Sequence, residues 1–286
     1  MAIALGANRY GKSGIRLVTV DRDGERHAFT DLTIDVRLEG VFTPAHAEGD
    51  NSAILPTDTM RGACYALARE EPVGSPESFG LRLTAYLLEA APAAKRATVS
   101  LLQQPWERIA GDHPFGFTRA GGGLRTAIVS RGRDGDDDDD VEVAAGVADL
   151  YVLKTTGSAF TGYLVDRYTT LSPAADRILA TSVTATWRYT RLGLDYSQCA
   201  DEVRRAVLDA FAGHDDSQSL QHTLWVMGEA VLAACPDVGD IHFSLPNQHH
   251  VPADLSPYGM DNPNQVFVAT DRPFGVIEGT VTREQR

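Results

Sequence analysis

The chain has 286 residues, enough for one large domain or two of ordinary size. Hydrophobic residues make up 43% and charged residues 23%, which is typical of soluble globular proteins. No apolar run approaches the roughly 20 residues that span a bilayer. The net charge of −13, from 26 basic and 39 acidic residues, disfavours nucleic acid and anionic membranes as partners, so an anionic ligand would need a local basic site.

The cysteine content indicates a reducing compartment. The three cysteines, Cys64, Cys199 and Cys235, are odd in number and form no CxxC pair, so neither a disulfide framework nor a zinc ribbon is indicated. The first residues reach Asn8 and Arg9 too soon for a secretory signal, and the last residues form no peroxisomal tripeptide. We therefore expect a cytoplasmic protein.

The first half of the chain predicts two strands, two helices and two more strands. The strand segments, of which the first two alternate and flank the turn signal Asp23-Gly24, span 15–20, 32–42, 97–103 and 124–130. The helical segments carry apolar residues at helical spacing. The first spans 58–69, and the second begins at Ser75-Pro76-Glu77 and stops at Pro92.

The second half repeats this order. Its predicted strands span 147–155, 182–189, 241–245, 265–269 and 276–281. One helix begins at Ser197, and the next spans 217–234. The apolar face of that second helix is predicted to consist of Leu220, Leu224, Met227 and Val231.

The shared order, at a period of about 140 residues, suggests an ancestral duplication without a repeat at the level of residues. We predict an α+β protein with two domains, 1–138 and 139–286, each an antiparallel sheet with two helices on one face. The uncovered sheet face must pack against something. A second subunit could cover it by closing the sheets into a barrel.

Three motifs carry no specific chemistry. The run Asp136 to Asp140 lacks the ligand spacing of an EF-hand, so we expect a solvated, mobile surface loop. Gly121-Gly122-Gly123 matches no dinucleotide fingerprint and indicates a flexible hairpin loop. His249-His250 and the other histidines form no HxxxH or HExxH pair, so no metal site is expected.

Five segments together indicate a family. They are Tyr10-Gly11-Lys12, the stretch 50–59 (DNSAILPTDT), the stretch 153–163 (LKTTGSAFTGY), Asp176-Arg177-Ile178-Leu179, and Ser244-Leu245-Pro246-Asn247-Gln248-His249. In this order and spacing they resemble the urate oxidase (uricase) family over essentially the whole chain. The resemblance implies two tandem β-β-α-α tunnelling-fold (T-fold) units, which agrees with the repeat, and a barrel that closes on oligomerisation.

The resemblance implies a purine-binding set. Phe160 would stack on the flat ring, Arg177 and Gln221 would clamp its edge, and the backbone N–H of Leu220 would add a donor. A guanidinium suits an oxygen-rich anion, and an amide offers both a donor and an acceptor. From local patterns alone, Phe160 also fits an ordinary core position, Arg177 a surface charge, and Gln221 a solvated helix start.

The resemblance also implies an oxygen side of the site. Thr57 and Asn247 would hold dioxygen or water, and Lys12, Thr57 and His249 would form a proton relay. A desolvated lysine can act as a base, a hydroxyl can pass a proton on, and histidine titrates near neutrality. Asp58 would offer its backbone N–H at a helix start. Without the resemblance, Thr57 is the expected N-cap of the helix from Asp58.

The activity implied by the resemblance is cofactor-free oxidation of urate by dioxygen and water to 5-hydroxyisourate and hydrogen peroxide, a step of purine degradation. The implied assembly is a homotetramer with active sites between subunits. The alternative is a pterin- or GTP-processing enzyme of the same superfamily. Such an enzyme often needs a zinc-binding histidine cluster and a glutamate for the ring, whereas this chain has an amide at Gln221. A catalytically inactive purine-binding oligomer would lack the relay residues.

Overall fold

The computed structural model of the protein describes residues 3–133 and 140–284. The chain forms two compact units. Unit 1 comprises Met1–Gly146 and Arg191–Ser197, and unit 2 comprises Val147–Thr190 and Gln198–Arg286. The predicted domain boundary after residue 138, and most of the predicted loop Asp136 to Asp140, lie outside the described residues.

The elements of unit 1 are, in chain order, β1 (Arg9–Asp21), β2 (Ala28–Gly40), α1 (Thr43–Ala47), α2 (Thr57–Glu70), α3 (Pro76–Ala90), β3 (Ala94–Gln103), β4 (Trp106–Arg108), β5 (Phe117–Arg119) and β6 (Leu124–Gly132). Four strands form an antiparallel sheet in the order β1-β2-β3-β6. The short strands β4 and β5 form a separate antiparallel pair.

Strand β7 (Val141–Lys154) begins in unit 1 and continues into unit 2, and α4 (Tyr196–Gly213) likewise begins in unit 1. The further elements of unit 2 are β8 (Leu179–Tyr189), α5 (Leu220–Ala234), β9 (Val238–Pro252), a short 3-10 helix (Ser256–Tyr258) and β10 (Phe267–Thr282). Strands β8, β9 and β10 are neighbours in that order and antiparallel.

The core of unit 1 lies between its sheet and helices α2 and α3. Alternate residues of β2 are fully buried, which is the period of two expected of a strand with one face in the core. Helix α3 starts where predicted, because the Ser75 hydroxyl accepts a 3.1 Å hydrogen bond from the Ser78 N–H and Pro76 follows the cap. At Gly80 the helix approaches β6 so closely that an added Cβ would lie 2.6 Å from Val129.

Helix α5 packs on the sheet of unit 2 in the same manner. Its predicted apolar face is confirmed, because Leu220, Leu224, Met227 and Val231 are all buried. Burial of each such side chain stabilises the fold by roughly 1.5–3 kcal/mol. The helix begins at Leu220 rather than at Ser217, because the Ser219 side chain caps it by accepting from the His222 N–H at 3.1 Å.

The prediction of two strands at 265–269 and 276–281 was wrong. Strand β10 is a single strand with a register shift between Thr270 and Gly275. Helix α1 and the β4–β5 pair were not predicted. In the described part of the chain, no helix is long and apolar enough to cross a membrane.

Candidate active site

Lys12 is carried by β1 beside the start of α2. The Tyr10 hydroxyl accepts from the Leu55 N–H at 2.9 Å and so ties β1 to the segment that leads into α2. At Gly11 the strand passes so close to β2 that an added Cβ would lie 1.8 Å from the Val36 carbonyl oxygen. Lys12 Nζ then lies 3.0 Å from Asp58 Oδ1 at the helix start.

The local sequence pattern predicted Thr57 as the N-cap of α2, and this prediction is wrong. Pro56 is the cap residue, without a side-chain hydrogen bond, and Thr57 is the first helical residue. The backbone N–H groups of the first turn of a helix have no partner inside the helix. In the described part of the chain, the N–H groups of Thr57 and Asp58 have no partner within α2, and the half-buried Thr57 hydroxyl makes no capping hydrogen bond.

In unit 2, Phe160 and Arg177 are neighbours. The guanidinium carbon of Arg177 lies 5.3 Å from the centroid of the Phe160 ring. Two backbone hydrogen bonds join Phe160 to Ala174, at 2.8 and 3.1 Å, and the Arg177 N–H donates to the Ser158 carbonyl at 2.8 Å. The Tyr163 ring stacks on Phe160 with a centroid distance of 5.0 Å and an angle of 14°. The backbone therefore fixes the spacing between an aromatic ring and a cation.

The guanidinium of Arg177 lacks part of its hydrogen bonding. Its Nε is buried without a partner in the described part of the chain. Burial lowers the pKa of this guanidinium, since the charged form loses hydration. An unpaired buried donor costs stability, and it is most easily explained by a ligand that supplies an acceptor.

The start of α5 is tied to the loop of Phe160. The Ala159 N–H donates to the Ser217 carbonyl at 2.7 Å, and the Ser217 N–H donates to the Gly157 carbonyl at 3.1 Å. Gly157 has a φ of +73°, and an added Cβ would lie 2.9 Å from the Asp215 carbonyl oxygen. These bonds place the segment that leads to Leu220 and Gln221 next to the loop that carries Phe160.

Three segments, 156–160, 174–177 and 215–221, are joined by the hydrogen bonds described above. We call them the clamp frame.

The side chain of Asp176 connects two segments of the clamp frame. Its carboxylate accepts from the Thr156 hydroxyl at 2.7 Å and from the Ser158 N–H at 3.4 Å. The Thr156 bond, followed by backbone N–H groups, holds the pKa of this carboxyl below its usual value. Asp176, Ser158 and Ser217 were not predicted to have a role in the site. The one available signal was that Asp176 directly precedes Arg177 within the quoted motif.

Asn247 and His249 lie on β9, both half-buried. Asn247 stands opposite Thr181 of β8, so the two side chains share one face of the sheet. The Thr181 hydroxyl is buried and has no partner in the described residues. His249 stands opposite Thr270 of β10, next to the register shift. A buried hydroxyl without a protein partner is a position at which a water molecule can bind.

Within the described ranges, no three histidine, cysteine or acidic side chains form a group that could hold a metal ion. Lys154, in one of the family motifs, donates to the His214 carbonyl and lies over the Phe211 ring. It therefore has a structural role in unit 2.

A family model described as uricase matches residues 8–130 and 143–278 of the chain. The chain belongs to the uricase family. Uricase from Arthrobacter globiformis is 42% identical over 282 residues, which cover 99% of this chain and 91% of that protein. Uricase from Dictyostelium discoideum is 34% identical over 284 residues, with 96% of both proteins covered.

Solved structures of uricases agree. The crystal structure of the Arthrobacter globiformis uricase matches with a TM-score of 0.94 at 41% identity, covering 100% of this chain and 97% of that one. A uricase from Bacillus fastidious has the same fold, with a TM-score of 0.80 at 22% identity and coverage of 98% and 94%. The predicted α+β class with antiparallel strands and the predicted family are therefore confirmed.

The residues implied by resemblance to uricases fall into two groups. Lys12, Thr57 and Asp58 lie in unit 1, where Lys12 contacts Asp58. Unit 2 carries the others, which are Phe160, Arg177, Leu220, Gln221, Asn247 and His249. Among these, Phe160 contacts Arg177, and the clamp frame connects both to the start of α5.

Proposed function

We propose that this uricase-family protein oxidises urate with dioxygen and water to 5-hydroxyisourate and hydrogen peroxide. The observation that carries the proposal is the half-buried Arg177 guanidinium, whose buried Nε has no partner among the described residues, held 5.3 Å from the Phe160 ring centroid. A flat anion with oxygen atoms at its edge matches both groups. The family membership selects urate among such anions.

Substrate binding would proceed as follows. The purine stacks on Phe160 and offers its oxygen-bearing edge to Arg177, while Gln221 and the Leu220 N–H complete the hydrogen bonds. Support comes from the clamp frame, whose backbone hydrogen bonds fix all three segments before the ligand arrives. Preorganisation of this kind avoids the entropy cost of ordering loops on binding.

Thr57 and Asn247 would hold dioxygen and water on the other side of the ring. Support comes from the buried Thr181 hydroxyl opposite Asn247, which has no partner among the residues that the structure describes and could therefore bond to a water molecule. The N–H groups of the first turn of α2 would stabilise developing negative charge there.

The chemistry needs proton removal rather than a bound redox group. Urate loses protons through the relay of Lys12, Thr57 and His249, and the resulting electron-rich anion reduces dioxygen. Peroxide forms at the ring and leaves as hydrogen peroxide, and water then adds its oxygen to give 5-hydroxyisourate. Urate, one dioxygen and one water together contain all the atoms of the two products. We propose that no metal or flavin takes part.

The first experiment follows urate absorbance, oxygen uptake and peroxide release with purified protein. We expect one dioxygen consumed and one peroxide released per urate, at a rate unchanged by chelators and independent of added flavin. Absence of turnover, or turnover only after metal addition, would contradict the proposal. The pterin- and GTP-processing alternative loses its basis, since the reported relatives and structures are uricases.

We further propose a homotetramer in which T-fold sheets close into a barrel. In this arrangement, Lys12 and Thr57 of one subunit would complete the site formed by Phe160 and Arg177 of another. The division of the site residues between the two units supports this arrangement. We also propose a cytoplasmic location, which suits three free thiols.

A mixing experiment tests the shared site. Lys12→Met and Arg177→Met are each expected to be inactive. Co-expressed and isolated as mixed oligomers through two affinity tags, they should regain activity, because about a quarter of randomly assembled shared sites contain both intact residues. Verified mixed oligomers that remain inactive would refute a site shared between subunits.

A further inference from the structure

The start of α5 contains three connected polar side chains that the proposed function does not use. His214 Nδ1 lies 3.2 Å from the Thr223 hydroxyl, and the Thr223 hydroxyl lies 2.8 Å from the Ser217 hydroxyl. The Ser217 hydroxyl in turn donates to the Ser219 carbonyl at 3.1 Å. Thr223 and Ser217 are almost completely buried, with exposed fractions of 0% and 1%. We call His214, Thr223 and Ser217 the α5 network.

The number of hydrogen atoms fixes the direction of the bonds in the α5 network. A serine hydroxyl has one hydrogen, and that of Ser217 is used in the bond to the Ser219 carbonyl. Thr223 must therefore donate to Ser217, and His214 Nδ1 must donate to Thr223. All the bonds thus run in one direction, from the imidazole to the Ser219 carbonyl.

His214 is held in place by its surroundings. Its N–H donates to the Ala210 carbonyl at 3.1 Å in the last turn of α4, and its carbonyl accepts from Lys154 Nζ. Its ring packs edge-on against the His222 ring, with 4.4 Å between the centroids. Burial, and then the nearby His222 and Lys154, lower the pKa of His214, which outweighs the opposite effect of the two neighbouring carboxylates. The imidazole is therefore neutral near pH 7, and the direction of the bonds assigns its hydrogen to Nδ1.

The α5 network ends on the peptide group that carries the Leu220 N–H. In this peptide, the Ser219 carbonyl and the Leu220 N–H point in opposite directions. The carbonyl accepts from the Ser217 hydroxyl and from the Thr223 N–H, each at 3.1 Å. The two bonds fix the plane of the peptide and hence the direction of the Leu220 N–H. Hydrogen bonds in series also polarise one another, which makes the N–H at the end of the series a stronger donor.

We propose that His214, Thr223 and Ser217 are positioning residues for urate, which orient and strengthen the Leu220 N–H that donates to it. The inference rests on the proposed function, in which the Leu220 N–H is a donor to urate. The segment before α5 needs such support, because residues 215–218 line a cavity of about 240 Å³.

The test measures urate affinity in the absence of dioxygen, so that binding is separated from turnover. Thr223→Val keeps the shape of the side chain but removes the central hydroxyl, and it should weaken urate binding by about 3- to 10-fold. His214→Phe keeps a ring but removes the donor, and it should weaken binding by about 2- to 5-fold. His214→Asn places an amide nitrogen near the position of Nδ1 and should restore most of the affinity. In air, kcat should change by less than about twofold in all three variants, since the Leu220 N–H binds urate before and during the reaction.

Two controls separate this role from a general effect on folding. His242→Phe removes the same kind of contact, 2.9 Å from His242 Nδ1 to the Thr280 hydroxyl, at an exposed position outside the clamp frame, and it should leave urate affinity unchanged. The double variant His214→Phe with Thr223→Val should bind urate no more weakly than Thr223→Val alone, because both changes interrupt the same series of bonds. If Thr223→Val folds poorly, Ser217→Ala interrupts the series at the next hydroxyl and should weaken binding by a similar factor.

The inference is overturned if Thr223→Val and His214→Phe bind urate as tightly as the wild type, or if His214→Asn binds it as weakly as His214→Phe. Additive losses in the double variant, or a fall in kcat by the same factor as the affinity, would also overturn it. A wild-type protein that neither binds nor oxidises urate refutes the proposed function itself. A wild type that binds urate, together with unaffected variants, refutes this inference alone.

Discussion

Replacement of Arg177 by methionine should affect binding and folding in opposite directions. The guanidinium carries a buried Nε without a partner in the described part of the chain, and burial lowers its pKa. The unpaired Arg177 Nε therefore lowers the free energy of unfolding of the protein without ligand. A methionine of similar length removes the unsatisfied donor and the charge while filling much of the same space.

The changes in stability and in kcat/KM can be estimated from the contacts of Arg177. Removal of an unpaired buried donor relieves about 1–3 kcal/mol, and loss of the contact between Arg177 and the Phe160 ring costs about 0.5–1 kcal/mol. Arg177→Met should therefore raise the free energy of unfolding by about 0–2.5 kcal/mol. Loss of two charge-assisted hydrogen bonds to urate, at about 1.5–3 kcal/mol each, should lower kcat/KM by about 10²- to 10⁴-fold.

Chemical denaturation and steady-state kinetics on one preparation measure both effects. Arg167→Met is the matched control, because Arg167 is exposed and lies over the Tyr168 ring, 4.6 Å from its centroid, outside the clamp frame. It should change stability by less than about 0.5 kcal/mol and leave kcat/KM unaltered. The reasoning is refuted if Arg177→Met destabilises the fold by more than about 1 kcal/mol with kcat/KM preserved, since Arg177 would then be a structural residue.

Three further variants test other parts of the structure. Arg125→Met should cost about 3–5 kcal/mol in urea denaturation, because it leaves the fully buried Glu77 carboxylate without its partner at 2.8 Å; a loss below about 1 kcal/mol would contradict this. Gly157→Ala should destabilise the clamp frame by about 1–3 kcal/mol and raise KM, since φ is +73° and the new Cβ would lie 2.9 Å from the Asp215 carbonyl oxygen; an unchanged KM would count against the close approach. Lys12→Met should slow single-turnover oxidation by about 10²- to 10⁴-fold while equilibrium urate binding changes little, and an equal loss in both would exclude a relay role.

The helices were largely predictable because their signals are local. Ser75 and Pro76 mark the start of α3, and the spacing of apolar residues marks its buried face. The start of α5 was predicted at residue 217, three residues before the observed start at Leu220. Ser217 is instead held by backbone hydrogen bonds to Gly157 and Ala159, more than 50 residues away, so only Ser219 caps the helix.

Strand β10 was predicted wrongly for a different reason. The segment from Thr270 to Gly275 contains Pro273, and its composition indicates a turn. The long partner strand β9 pairs with β10 on both sides of this segment, so the chain continues as one strand with a register shift. Cross-strand pairing overrides the local signal there.

The candidate site was accessible from the sequence only through resemblance. Lys12 and Asp58 are 46 residues apart, and no periodic pattern connects them. The same holds for Phe160, Arg177 and Ser217, which long-range backbone hydrogen bonds bring together. Residue types could indicate which chemistry each side chain suits, but the contacts between them depend on tertiary structure.

The clamp frame has a practical consequence for engineering. Most of its bonds run between main-chain N–H and C=O groups, which almost every amino acid provides. Exposed or half-buried positions such as Ala159 and Ala174 can therefore be varied to adapt the site to other heterocycles, with the scaffold retained. Proline is the exception, because at Ala159, Phe160, Ala174, Arg177 or Ser217 it would delete a donor that the scaffold uses.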